Sequence, residues 1–136
     1  MPSSTTSSEL PRVLIADDND AMLARAAAAL KVCCDVVGRV GNGREALQAA
    51  QALHPDVVVL DISMPGLNGF EVAERLRAAG SRAAVVFLTV HDGDDFVQAA
   101  LAAGGMGYVV KPRLASDLTI AVHEAHAGRT FISPLS

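Results

Sequence analysis

Asp17, Asp18 and Asp61 each stand where an apolar run stops, and that shared position makes them candidates for chemistry. Asp61 follows Val57-Val58-Val59-Leu60 and precedes Ile62-Ser63-Met64-Pro65-Gly66. A carboxylate at the mouth of a buried strand, with Pro65, Gly66 and Gly69 breaking the chain beyond it, is held on a rigid scaffold and still open to solvent. Taken alone, such an Asp could equally cap the next turn. Other strand ends add to the case: Asp17-Asp18 close a run that begins at Val13, Thr89 closes one that begins at Ala84, and Lys111 follows Gly107 to Val110.

The elements that must position these groups are legible in the hydrophobic periodicity. Apolar runs of strand length at 13–17, 35–40, 57–61, 84–89 and 107–110 alternate with Ala-rich stretches of helical period at 20–31, 43–53, 69–79, 93–103 and 115–127. Leu23, Ala26, Ala27 and Leu30 form an inner stripe in the first helix, Phe70, Ala73 and Leu76 in the third, and Leu118, Ala121, Val122 and Ala125 in the fifth. Gly80, Gly104 and Gly128 stand where left-handed C-terminal residues are wanted. Asp92, Asp94 and Asp95 suit the positive end of the fourth helix. The alternation predicts an α/β fold, a single (βα)5 doubly wound parallel sheet in the order 2-1-3-4-5. Its ligand crevice then lies at the carboxyl ends of strands one and three, where the order reverses. Three carboxylates, a hydroxyl and an ammonium would line that one edge.

Two unit charges 4 Å apart repel by about 4 kcal/mol even at an effective dielectric of 20, so converging carboxylates call for a cation. Mg2+ suits an all-oxygen donor set that leaves it several waters; a merely solvated acidic cluster is the plainer alternative. With Mg2+ on Asp18 and Asp61, and Asp17 reaching it through water, a free oxygen of Asp61 can attack a phosphoryl group. Lys111 and the Thr89 hydroxyl would then neutralise and hydrogen-bond the transferred oxygens.

Composition narrows the class. With 136 residues, 51% hydrophobic and 19% charged, the chain is sized for one domain with its own core. No apolar stretch approaches the ~20 residues of a membrane span, and residues 1–10 carry neither the basic flank nor the apolar core of a secretory signal, so we expect a disordered leader and a cytoplasmic protein. The net charge of -4, with Lys31 and Lys111 as the only lysines, argues against nucleic-acid binding by this chain alone. Cys33 and Cys34 are neighbours, for which a disulfide is strained, and read as a reduced, half-buried pair near a strand start in preference to a redox or metal role. His123 and His126 lie three apart on the last helix and could share a metal, but with no acidic or Cys partner beside them they read as solvent- or dimer-facing.

Asp17-Asp18, the segment Leu60-Asp61-Ile62-Ser63-Met64-Pro65-Gly66-Leu67-Asn68-Gly69, Leu88-Thr89 and Tyr108-Val109-Val110-Lys111-Pro112 together resemble the receiver domain of bacterial two-component response regulators, over nearly the whole of 13–128. The resemblance implies a CheY-like, flavodoxin-like fold in which Asp61 takes a phosphoryl group from a histidine of a sensor histidine kinase, with Mg2+ as cofactor. It makes Asp17, Asp18, Asp61 and the Ser63 backbone carbonyl the metal ligands, Thr89 the switch hydroxyl, Lys111 the phosphate partner and Tyr108 the switch aromatic. It also implies a cis peptide bond before Pro112. Ser63 and His91 fall where side chains flank the attacking water, and Val90 is bulkier than the small residue common after the switch hydroxyl; slow loss of the phosphoryl group and poor labelling by small phosphodonors are the expectations.

The segment around Met64 and the ending Gly128-Arg129-Thr130-Phe131-Ile132-Ser133-Pro134 resemble the NarL/FixJ subfamily, where such an ending leads to a LuxR-type helix-turn-helix domain. We therefore expect a leader at 1–10, a receiver at 11–128 and the start of a linker at 129–136. DNA contact would come only through an output domain outside this chain, and a homodimer is a further expected association. A stand-alone receiver acting through protein contacts is the alternative to an excised one. Two other classes stay open: a binding module that switches without phosphorylation, and a hydrolase working through an aspartyl phosphate. The latter usually needs a second acid two residues after its nucleophile, where this chain has Ser63.

Overall fold

A computed structural model describes residues 10–134. The expected leader, apart from Leu10, lies outside the described residues.

Period-two alternation along the strands decides the two-layered core. Val13, Ile15, Val57, Val59, Val86, Leu88 and Val109 face one way, while Leu14, Ala16, Val58, Leu60, Phe87, Tyr108 and Val110 face the other. Both sets are buried, which is why these strands read as unbroken apolar runs. The strands are β1 (Arg12–Ala16), β2 (Asp35–Val40), β3 (Val57–Leu60), β4 (Ala84–Thr89), β5 (Gly107–Val110) and a short β6 (Phe131–Ile132). They form one sheet in the order β2-β1-β3-β4-β5-β6, parallel throughout.

Helices α1 (Asp20–Leu30) and α5 (Leu114–His126) cover the face of Val13 and Ile15; α2 (Gly43–Leu53), α3 (Gly69–Ala78) and α4 (Asp94–Ala102) cover the other. The inner stripes of α1 and α5 are those the periodicity predicts. In α3 the buried stripe is Val72, Ala73 and Leu76, with Phe70 only half-buried against Phe87. Three helices leaving the carboxyl edge start at an Asn cap: Asn19, Asn42 and Asn68 each accept from a backbone N–H of the first turn, and Asn68 completes a capping box with Glu71. Gly80, Gly104 and Gly128 take positive φ after α3, α4 and α5, as expected.

Two expectations are corrected. No cis peptide bond is present among the described residues, so the bond before Pro112 is trans. Residues Lys111–Arg113 form a single 3-10 turn, and Pro112 sits in its first positions, where a fixed φ and a missing N–H cost nothing. The segment expected to begin a linker at 129 instead returns to the sheet: Phe131 and Ile132 pair with Gly107 and Tyr108. Ser133 is buried behind them, its hydroxyl donating to Asp117 at 2.7 Å and accepting from the Val110 N–H at 3.3 Å.

Candidate functional site

Parallel register brings the strand-end residues together. Ala16 pairs with Leu60, so Asp17 and Asp61 leave neighbouring strands at the same level, and the Asp61 N–H donates to the Ala16 carbonyl at 2.9 Å. On the other side Thr89 pairs with Val110, which puts Lys111 one residue beyond it at the same edge. The backbone of α3 closes against this corner through Gly69: a Cβ there would lie 2.4 Å from the Asp61 carbonyl oxygen and 2.9 Å from Ile62 Cα. Only glycine lets the loop fold so tightly beneath Asp61.

The carboxylates of Asp17, Asp18 and Asp61 offer ligand atoms that all lie within 4.8 Å of one another. Asp17 and Asp61 are 1% and 4% exposed, whereas Asp18 is open to solvent. The Lys111 ammonium stands 2.9 Å from Asp17 Oδ2 and 3.5 Å from Asp61 Oδ2. Its approach to Asp17 is an ion pair without hydrogen-bond alignment, and Asp17 Oδ2 is left buried with no hydrogen-bond donor. The other oxygens are partly satisfied: Asp17 Oδ1 accepts from the Asn19 N–H at 2.9 Å, and Asp61 Oδ1 from the Ser63 N–H at 3.2 Å. Burial, and then the charge of Asp17, push the Asp61 carboxyl above the usual carboxylate range, against the opposing pull of Lys111 and the Ser63 amide. One lysine among three carboxylates leaves the cluster short of positive charge. An orphaned buried oxygen beside an all-carboxylate donor set fits a hard divalent cation such as Mg2+.

Beyond the acids, the backbone of one residue, His91, gathers the remaining groups. The His91 N–H donates to the buried Thr89 hydroxyl at 3.2 Å, and the Tyr108 hydroxyl donates to the His91 carbonyl at 2.7 Å. Tyr108 is buried, and burial, with the charge of Asp92, pushes its phenol up to about 12. The His91 ring stacks on Phe96 at 4.0 Å between centroids, and its Nε2 lies 3.2 Å from Ser63 Oγ. Ser63 and His91 therefore touch across the edge, while Val90, 65% exposed, turns to solvent. A groove of about 840 Å3 opens elsewhere, at the amino ends of β3, β4 and β5 between Pro55, Asp56, Ala83 and Met106. It holds none of the residues above, and the carboxyl edge is where an open parallel sheet places its chemistry.

Sequence reasoning missed three partners. The roles of Asn19 and Gly69 in fixing the acids had visible cues, an Asn before a helix and a glycine after a strand-end loop. The docking of Ser133 onto Asp117 had none.

The chain matches the family described as response regulator receiver domain over residues 13–123. It is 37% identical over 98 residues to the nitrate/nitrite response regulator protein NarL of Escherichia coli K12, covering 72% of this chain and 45% of that protein. It is 36% identical over 126 residues to the response regulator GacA of Pseudomonas viridiflava, covering 90% of this chain and 58% of that one. The chain thus spans about half the length of the curated relatives it matches. Among solved structures, the signal receiver domain of the putative response regulator NarL from Mycobacterium tuberculosis superposes with a TM-score of 0.85 at 32% identity, covering 89% of this chain and 99% of that one. A two-component response regulator of the LuxR family from Aurantimonas superposes with a TM-score of 0.85 at 29% identity, covering 93% and 91%.

Proposed function

This chain belongs to the response regulator receiver domain family, of the NarL/FixJ type, and on that premise we propose that Asp61 accepts a phosphoryl group from a phosphohistidine of a sensor kinase. As a receiver it is a signalling domain of two-component systems. The observation that carries the proposal is the cluster of Asp17, Asp18 and Asp61 within 4.8 Å, with Lys111 set 2.9 Å and 3.5 Å from two of them.

A carboxylate oxygen of Asp61 attacks phosphorus, the phosphorus–nitrogen bond of the donor breaks, and the leaving imidazole takes up a proton. Lys111 moves from its two carboxylates to the new phosphoryl oxygens, and the Thr89 hydroxyl turns from the His91 N–H to donate to another. Mg2+, when bound by Asp17, Asp18, Asp61 and the Ser63 carbonyl, supplies the further positive charge that lets the anions meet. Loss of the Thr89 anchor frees the backbone at His91, and the Tyr108 hydroxyl then gives up its carbonyl partner, so that β4, α4 and β5 present a changed surface. Ser63 and His91 stand beside the route of hydrolytic water and set the lifetime of the aspartyl phosphate.

The matched segment makes up 45% and 58% of two curated relatives, and their remaining length supports an output domain following the receiver. On this reading the receiver, expected at 11–128, extends through β6 and belongs to a cytoplasmic regulator whose DNA contact and dimerisation are controlled from this edge.

The test is phosphoryl incorporation, read by intact mass after incubation with acetyl phosphate or a panel of ATP-charged histidine kinases and Mg2+. The wild-type chain gains one phosphoryl group, and Asp61→Ala gains none; labelling that persists in Asp61→Ala overturns the proposal.

A further inference from the structure

At the opposite end of the sheet from the acids, the turn between α1 and β2 meets α5. Cys33, Cys34 and His123 each present one ligand atom there, and these atoms all lie within 4.8 Å of one another. Cys34 Sγ stands 4.0 Å from His123 Nε2 across a sequence separation of 89 residues. Adjacent side chains on a strand would point to opposite faces. Here the Cys33 and Cys34 amides both donate to the Leu30 carbonyl, at 3.2 Å and 2.8 Å, and this tight turn brings the two sulfurs to one side. The register of α5 is fixed one helical turn earlier, where the Thr119 hydroxyl donates to the Ala29 carbonyl at 3.4 Å. Both cysteines are free thiols; Cys34 is buried, Cys33 half-buried and His123 exposed.

Two sulfurs and one imidazole nitrogen form a soft donor set, unlike the hard oxygen cluster at the other edge. Thiolate with imidazole selects thiophilic ions over Mg2+ or Ca2+, and three protein ligands with one side open to water is a known zinc arrangement. We propose that Cys33, Cys34 and His123 bind one thiophilic metal ion of the Zn2+ class, with water in the fourth position. Coordination forms two thiolate bonds and one imidazole bond to the ion, and the two thiol protons leave to solvent. Buried Cys34 anchors the ion, and exposed His123 is the side from which it enters. An ion held there ties the α1–β2 turn to the last helix of the domain, and its binding does not depend on phosphorylation of Asp61.

The reduced full chain is titrated with Co2+ as a spectroscopic substitute for Zn2+. The expected result is a thiolate-to-cobalt absorption in the near ultraviolet that saturates at one ion per chain, is displaced by Zn2+ and is unchanged by excess Mg2+. Asp61→Asn keeps that band, which separates it from any ion on the carboxylates. Cys33→Ser loses it, and His123→Gln, an exposed change that leaves the fold intact, weakens the affinity at least about tenfold. Absence of the band, its persistence in Cys33→Ser, or an unchanged affinity in His123→Gln overturns the proposal.

Discussion

The Tyr108 hydroxyl and the Thr89 hydroxyl hold the backbone of one residue, His91, from its two sides: Tyr108 donates to its carbonyl and Thr89 accepts from its N–H. Neither contact involves the His91 side chain, so the loop after β4 is fixed by backbone whatever residue follows Val90. Tyr108→Phe removes one donor and is expected to cost about 1 kcal/mol in urea-unfolding stability. Thr89→Ala removes the other anchor. Because both act on the backbone of one residue, their effects should fail to add, and a double variant whose loss equals the sum of the singles would contradict a shared anchor.

The Asp61 carboxyl sits where burial and the charge of Asp17 disfavour its ionised form. With its carboxyl raised above the unfolded value, the native state binds a proton more readily than the unfolded chain. The penalty is therefore present above the folded pKa and disappears as pH falls through that value toward the unfolded one. Asp61→Asn should raise Tm by a few degrees at neutral pH without divalent ions, with the advantage vanishing on acidification. Mg2+ should raise the Tm of the wild type and much less that of the variant. Equal melting of the two proteins at neutral pH would contradict the strained carboxylate.

Gly69 is expected to be intolerant of any side chain. A methyl at its Cβ position meets backbone atoms of Asp61 and Ile62 at 2.4 Å and 2.9 Å, and neither can move without shifting Asp61. Gly69→Ala should cost about 1–3 kcal/mol and reduce phosphoryl incorporation together with stability. Gly66→Ala, where a Cβ meets nothing within 4 Å but φ is +80°, should destabilise through backbone strain and leave labelling of the folded protein intact.

Ser133 and Asp117 form the joint that keeps β6 on the sheet. Burial raises the Asp117 carboxyl, but hydrogen bonds from Arg113, Ser133 and Ser116 outweigh it and leave the group below its usual range. A depressed carboxyl contributes stability that is present above the unfolded value of about 3.9 and is lost as pH falls through the folded one. Ser133→Ala should cost about 1–3 kcal/mol at neutral pH by leaving a buried carboxylate short of a donor. It should also flatten the acid limb of the stability profile. Hydrogen exchange at Phe131 and Ser133 should speed up in the variant; unchanged exchange would mean that Asp117 does not hold the strand.

The sequence by itself determined the edge where the acids, a hydroxyl and a lysine converge. Asp17, Asp61, Thr89 and Lys111 each follow an apolar run, and parallel pairing delivers strand ends to one side whatever the details of side-chain packing. Periods of 2 and 3.6 residues are short-range signals, which is why the strands, the stripes of α1 and α5 and the sheet order were legible. Tertiary structure alone decided contacts that depend on helix rotation and on the direction of turns. It set His123 beside Cys34, although His123 had read as a residue without a cysteine neighbour. It folded the expected linker back onto β5, because a two-residue strand carries no periodicity and Ser133 finds its partner on another element. It made the Lys111–Pro112 bond trans within a 3-10 turn, a choice governed by the turn that joins β5 to α5 and invisible in the dipeptide. Distance along the chain is the common cause: local pattern fixes what each segment is, and packing fixes which side of it meets the others.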